Sequence, residues 1–178
     1  MSVGGIEALT SQNLTISIAA EDITISYKIA WPMTLGSKSR EKDLRRRFKA
    51  RLQRWSPKKI TDADNVIAAL WAMKDVAKAR SAIEYLDYML DGFRKERLTP
   101  KIVEEALGIS SAERRRWIKD GRLPTSGAGH FMKGKTVFQF SLHAPEDIAR
   151  ISARPEIIAV WREVDHNESR RLIAPNPE

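Results

Sequence analysis

The sequence predicts a mostly α protein with small β elements, on three observations. Apolar residues recur at helical spacing through much of residues 38–93. Residues 14–27 alternate apolar and polar with period 2, and residues 99–119 read as two short capped helices joined by a glycine turn. A chain of 178 residues suits one medium domain or two small ones. At 42% apolar and 30% charged, it can bury a core and is not disordered by composition. There is no cysteine, which excludes disulfide frameworks, thiolate zinc sites, iron–sulfur clusters and cysteine nucleophiles. No run reaches the roughly 20 apolar residues of a membrane span. The opening Met1-Ser2-Val3-Gly4-Gly5 lacks the basic start and apolar run of a secretory signal. The expectation is a soluble intracellular protein with no membrane partner.

The first element, within residues 1–36, is a β-hairpin. Leu14-Thr15-Ile16-Ser17-Ile18 and Ile23-Thr24-Ile25-Ser26-Tyr27 alternate, with a four-residue loop Ala19-Ala20-Glu21-Asp22 between them. A lone hairpin is marginal in water, so it must pack on another element or pair with a partner's sheet. Trp31-Pro32 ends it. Residues 37–97 then carry a basic helix and a long helix. Ser37 caps a helix from Lys38 to about Trp55, with Leu44, Phe48, Arg51/Leu52 and Trp55 at helical spacing and basic side chains on the remaining arc. Ser56-Pro57-Lys58-Lys59 breaks it, and a long helix opens at Thr61 or Asp62 and runs to about Leu90 or Phe93. Its stripe of Val66, Leu70, Met73, Ala77, Ile83, Leu86, Leu90 and Phe93 either packs inside the chain or is a seam to a protein partner or second copy. Asp91-Gly92 and the linker 94–98 mark the boundary to residues 98–154.

The charge is uneven. The chain carries 31 Lys and Arg against 23 Asp and Glu, a net +8. Residues 36–60 hold eleven cations and two acids, and residues 99–143 are also in cationic excess, while the rest is balanced or mildly acidic. Two such clusters favour a polyanionic partner over simple surface mixing. In the first, the candidate phosphate contacts are Arg45, Arg46, Arg47, Lys49, Arg51, Arg54, Lys58 and Lys59.

From Leu98 onward the text becomes specific. Thr99-Pro100 is a helix start with proline at the first position, and Ile102, Val103, Ala106 and Leu107 form its apolar face. Leu107-Gly108-Ile109-Ser110 turns sharply. Ser110 or Ser111 caps a second helix through Lys119, carrying Arg114, Arg115, Arg116, Trp117 and Ile118, and Asp120-Gly121 closes it. Two short helices about a glycine turn, the second cationic, form a helix-turn-helix, in which the second helix presents side chains to base edges in the major groove. Neighbours on a helix differ by about 100°, so the arginines cannot all face one groove. Arg115 with either Arg114 or Lys119 are the groove candidates, and Trp117 anchors the helix to the core.

These residues, together with Arg115-Arg116-Trp117-Ile118-Lys119-Asp120-Gly121-Arg122-Leu123-Pro124, resemble the DNA-binding region of MerR-type, excisionase and AlpA-like regulators over residues 99–150. That family usually carries an apolar residue where Arg114 stands. The resemblance implies a winged helix-turn-helix: Thr125 to Leu142 as a β-hairpin wing gripping phosphates, and residues 145–151 as the short helix after it. The DNA-binding set expected is Ser111, Arg114, Arg115, Arg116, Lys119, Arg122, His130, Lys133 and Lys135.

Gly129-His130-Phe131-Met132-Lys133-Gly134-Lys135-Thr136 also fits the P-loop pattern letter for letter. A P-loop follows a buried strand and opens a helix. Here Val137-Phe138-Gln139-Phe140 alternates like a strand, so a glycine-tipped basic wing is the better reading. His130, His143 and His166 show no metal-ligand spacing. No metal, cofactor or catalytic constellation is expected. Residues 155–178 read as a helix from about Glu156 to Arg171, with Ile157, Val160/Trp161 and Val164 on one face, and a frayed tail Pro175-Asn176-Pro177.

The expected function is that of a cytoplasmic, nucleoid-associated protein that binds double-stranded DNA and is no enzyme. It is either a sequence-specific transcriptional regulator or an architectural or recruiting subunit of a recombination, transposition or packaging complex. RNA stays open as a partner of the basic helix, and a P-loop nucleotide triphosphatase is the remaining alternative.

Overall fold

The structure, a computed structural model, describes residues 9–173. The readings placed on Met1-Ser2-Val3-Gly4-Gly5 and on Pro175-Asn176-Pro177 lie outside the described residues. Helices take about half of the chain and strands about a quarter, a mixed α and β composition in which helix predominates. It divides into two compact units, Met1–Glu96 and Arg97–Glu178.

Unit 1 holds β1 (Thr15–Ala19), β2 (Asp22–Lys28), α1 (Trp31–Thr34), α2 (Lys38–Gln53), β3 (Lys59–Ala63), β4 (Val66–Ala72), a 3-10 turn at Met73–Asp75 and α3 (Val76–Lys95). The strands form one antiparallel sheet in the order β1-β2-β4-β3. Ala19 pairs with Asp22, which leaves a two-residue loop, Ala20-Glu21, rather than the four-residue loop expected. The larger correction is the long helix. Residues 59–72 are a second hairpin, and the helix begins only at Val76. Asp64 and Asn65 both adopt left-handed backbone (φ 48° and 63°), the two-residue turn whose twist matches antiparallel strands, and Asp and Asn tolerate that region best among non-glycine residues. After the turn, Ile67, Ala69 and Trp71 are buried with period 2.

The hairpin anticipated to need a partner therefore finds one in its own chain: β2 pairs with β4 along its whole length. Ile23, Ile25 and Tyr27 join Ile67, Ala69 and Trp71 on one sheet face, and Leu44, Phe48 and Leu52 of α2 pack there with Ala79, Ala82, Ile83, Leu86, Leu90 and Phe93 of α3. Of the apolar stripe offered as a seam to a partner or second copy, Ile83, Leu86, Leu90 and Phe93 are thus buried inside unit 1, whereas Val66, Leu70 and Met73 are half-buried and Ala77 is exposed.

Unit 2 holds α4 (Pro100–Leu107), α5 (Ser111–Lys119), the hairpin β5 (Ala128–Lys133) and β6 (Thr136–Ser141), α6 (Pro145–Ser152) and α7 (Pro155–Ile173). Gly108 ends α4 in left-handed backbone (φ 61°), open to glycine at no steric cost. Ser110 caps α5 in a reciprocal box: its hydroxyl accepts from the Glu113 amide, and its own amide donates to the Glu113 carboxylate. Val103, Leu107, Ile109, Trp117, Leu123, Ile148, Ile151 and Ile158 are buried.

The P-loop alternative fails on backbone geometry. Residues 129–136 are the two arms and tight turn of the β5–β6 hairpin, and Thr136 opens a strand, so no helix N-terminus faces the loop. Gly129 has a different use: a Cβ there would lie 2.6 Å from the ring of Phe140, its cross-strand partner, which lies over the glycine backbone.

Candidate nucleic-acid interface

Three faces of α5 have different fates. Toward α4, Arg114 is bound to Glu104 (Nε–Oε1 2.8 Å), with its side chain only 12% exposed. Arg114 is therefore withdrawn from the groove set: it turns inward toward α4 and pairs there with its own counter-charge.

Toward α7, Trp117 is fully buried. Its indole donates to Asp165 (2.9 Å), and Trp161 meets it edge-on at 4.9 Å between ring centroids. Asp165, itself buried, also takes Arg122 (2.6 Å) and Arg116 (3.1 Å). Arg122 further bonds Asp120 and the Trp161 carbonyl, and these carboxylates push its pKa up, so it stays charged and held. Arg162 reaches from α7 to Glu113 (2.6 Å) and to the Gly108 carbonyl (3.0 Å). Arg162 and the Ser110 cap together hold the Glu113 pKa down to about 2. Arg116 and Arg122, expected on DNA, are thus engaged in bracing α5 against the C-terminal helix. Trp161 was expected on the apolar face of this helix, but Asp165, one turn on, escaped the sequence reading; its i, i+4 spacing from Trp161 is the signal that was there.

The third face is open. Ser111, Arg115 and Lys119 recur every four residues and are all exposed, and their side chains form no hydrogen bond or ion pair among the described residues. Of the two alternatives left open beside Arg115, Lys119 lies on its open face and Arg114 does not.

The β5–β6 hairpin carries the remaining expected contacts. His130, Lys133 and Lys135 are exposed, with the two lysines flanking Gly134 at the turn. From Gly121 to Pro145 there is no acidic residue. The base of the hairpin is fixed where Ser126 and Leu142 close it and where His143 exchanges backbone hydrogen bonds with Leu98 (2.8 and 3.1 Å).

His143 is fully buried. Its Nδ1 lies 2.7 Å from the Pro124 carbonyl, which can only accept, so Nδ1 carries the proton; Nε2 is buried without a partner among the described residues. Burial lowers its pKa from the ordinary 6.5, with Arg114 adding to the effect. A histidine held neutral contributes stability that is complete above pH 6.5 and is lost as pH falls from 6.5 toward the lower folded value, because the unfolded chain then binds the extra proton. Denaturant melts of unit 2 are expected to weaken across that window, and His143→Phe is expected to flatten the dependence.

The basic run 38–59 looks different folded. Arg45 bonds Glu41 and Asp62; Lys49 also reaches Asp62 (2.9 Å). Arg46 and Arg47 share Asp43, and Arg47 adds Glu96 (2.8 Å). Lys58 pairs with Asp22 (2.6 Å), and Arg51 lies over the Tyr85 ring. Of the eight candidates there, only Arg54 and Lys59 form no ion pair or ring contact among the described residues. Glu41 and Asp43 lie within the run, and the other acids that neutralise it, Asp22, Asp62 and Glu96, come from the segments on both sides. Comparison with protein-family models, curated proteins and solved structures finds no match for this chain.

Proposed function

We propose that unit 2 is a winged helix-turn-helix that binds duplex DNA, with α5 as the recognition helix and the β5–β6 hairpin as a basic wing. The observation that carries this reading is the open Ser111–Arg115–Lys119 stripe on a helix whose other faces are pinned by α4 and α7. A major groove about 12 Å wide admits a helix, and an arginine paired with guanine there reads a base. Ser111 and Lys119 at the two ends of the stripe reach phosphates or flanking bases. Lys133, Lys135 and His130 add sequence-independent attraction.

The role favoured is a sequence-specific transcriptional regulator, with two copies on paired half-sites multiplying the specificity of one module. An architectural or recruiting subunit of a recombination, transposition or packaging complex is the second reading. It is favoured by unit 1, a body with its own core whose cations are mostly neutralised by its own acids and which therefore suits a protein partner.

Selection of bound duplexes from a random pool, followed by gel shifts, tests the proposal. Arg115→Ala is expected to relax base preference at one position by ~1–3 kcal/mol. Lys133→Ala and Lys135→Ala should weaken all duplexes alike and each lower the salt slope by about 1. Arg114→Ala should leave base preference intact. Equal binding by wild type and all variants overturns the assignment. Preference for duplex RNA would do the same, because its deep, narrow major groove does not admit α5.

A further inference from the structure

The sheet of unit 1 has two outer edges, and their chemistry differs. β3 carries Lys59 and Asp62, with Lys58 and Asp64 beside its ends, the kind of charge that keeps an exposed edge from pairing. β1 has no such guard: from Leu9 to Ala20 there is no charge, no proline and no glycine. Among the described residues no strand pairs with its outer side. The chain before it turns away to α3, where Ser11 and Asn13 bond Asp87 (2.8 and 3.1 Å). Ile16 packs against the core, but Ile18, beside it on the same face, is 44% exposed. The backbone of this edge is open in a definite pattern. Across the β2–β4 pair Ile29 donates to Asn65 (2.8 Å) and the Glu21 carbonyl accepts from Met73 (2.7 Å), so the odd residues of β2 face β4 and the even ones face β1. Asp22, Thr24 and Ser26 therefore bond Ala19, Ser17 and Thr15, which leaves the N–H and C=O of Ile16 and Ile18 directed outward.

We infer that β1 pairs with the β1 of a second copy, antiparallel about a two-fold axis at Ser17, joining two four-stranded sheets into one. In that register each Ile16 exchanges both its outward hydrogen bonds with the second copy's Ile18, and all five residues of the strand are covered. The isoleucines meet on the core face, so each exposed Ile18 gains an apolar neighbour. On the other face Ser17 meets its own copy and Thr15 meets Ala19, side chains small enough to sit opposite each other. A second copy fits better than an unrelated chain because the strand reads alike in both directions, and no charge on it calls for an opposite charge. The charges of β3 stop further addition at the far edges, so the pairing closes at two copies instead of growing into a fibre. This pairing stands independently of the duplex-binding reading; together with it, the dimer supplies the two copies that paired half-sites call for.

The chain has no cysteine, so an introduced one reports its own contacts. Facing residues of a non-hydrogen-bonded antiparallel pair have Cα atoms about 4.5 Å apart, within disulfide reach. Ser17→Cys in the full-length protein is expected to form a covalent dimer under mild oxidation roughly tenfold faster than Thr15→Cys, whose two copies lie about 14 Å apart, or Thr61→Cys on β3. Without DNA, the unaltered protein should be dimeric in sedimentation equilibrium. Ile18→Lys sets an inward-pointing charge on the seam and should weaken association roughly a hundredfold. Amide exchange in β2 and β4 should stay unchanged in that variant, and Ile18→Val should keep the dimer. Monomeric protein with equal crosslinking by the three cysteine variants overturns the pairing and leaves the edge to a different protein. A dimer that Ile18→Lys leaves intact, with slow crosslinking of Ser17→Cys, overturns it in favour of another interface. Slow exchange of the Ile16 amide in monomeric Ile18→Lys protein overturns it in favour of cover from within the chain.

Discussion

Trp117→Ala is expected to remove about 3–5 kcal/mol from the stability of unit 2. The indole is fully buried, packs edge-on against Trp161, and donates to Asp165, so its loss opens a cavity where α5 meets α7. It also takes a donor from a carboxylate that Arg116 and Arg122 still approach. Small domains have total stabilities of about 5–15 kcal/mol, so the variant sits near unfolding. Trp117→Phe keeps most of the apolar volume and loses the hydrogen bond, for a cost of about 1–3 kcal/mol. Segment-resolved amide exchange checks both: protection should fall over residues 97–168 and stay unchanged over residues 14–95. Unaltered exchange in α5 with alanine at 117 would contradict the packing. Because α7 holds α5 through this contact, the same variant should lose duplex binding before it loses all helix signal.

Arg40→Ala is expected to cost unit 1 about 3–5 kcal/mol, the range for leaving buried polar partners uncompensated. Arg40 is 2% exposed, yet each nitrogen of its guanidinium donates to a backbone carbonyl. Nε donates to the Met33 carbonyl (2.7 Å), Nη2 to Phe93 (2.7 Å) and Nη1 to Glu96 (3.4 Å), and the plane lies 4.6 Å over the Phe93 ring. It thus caps the orphan carbonyls at the C-terminus of α3, where the helix dipole is negative, and ties them to α1. Burial lowers its pKa below the usual arginine value, and the nearby Glu96 works against that shift. Arg40→Lys should recover only part of the loss, since a single ammonium cannot span two helix ends. Thermal melts of the full chain, with amide exchange locating the weakened unit, provide the measurement; an unchanged α3 C-terminus would sink the capping role.

Arg40 was also legible and overlooked. It lies four residues before Leu44, which lies four before Phe48, and four more lead to Leu52; the series runs along the buried stripe of α2. A cation in that register either disrupts the core or caps something in it. The charge count treated it as one more surface arginine. The helix over residues 62–75 failed for a different reason. Val66, Leu70 and Met73 fit a helical period, but Ile67, Ala69 and Trp71 fit a period of 2 equally well, and the Asp64-Asn65 turn lacks the glycine that signals a hairpin most strongly. Pairing with β2 settled the competition, because a central strand gains a ladder on both edges. By contrast, the α2 and α5 starts, the Gly108 turn, the hairpin at 128–141 and the helix after it rest on caps, glycines and alternation within a few residues of each other, and these were readable.

Local chemistry along the chain was thus enough to determine where most helices and hairpins begin and end, and which apolar side chains turn inward. Tertiary structure alone decided which cations remain available. Arg114 is taken by an acid one helix earlier, Arg116 and Arg122 by Asp165 more than forty residues on, Arg45 and Arg47 of α2 by Asp62 and Glu96, and Lys58 by Asp22. Ion pairing acts across a few ångströms of space regardless of separation in sequence, so a count of charge by segment cannot show that Arg115 and Lys119 are left without an ion pair among the described residues.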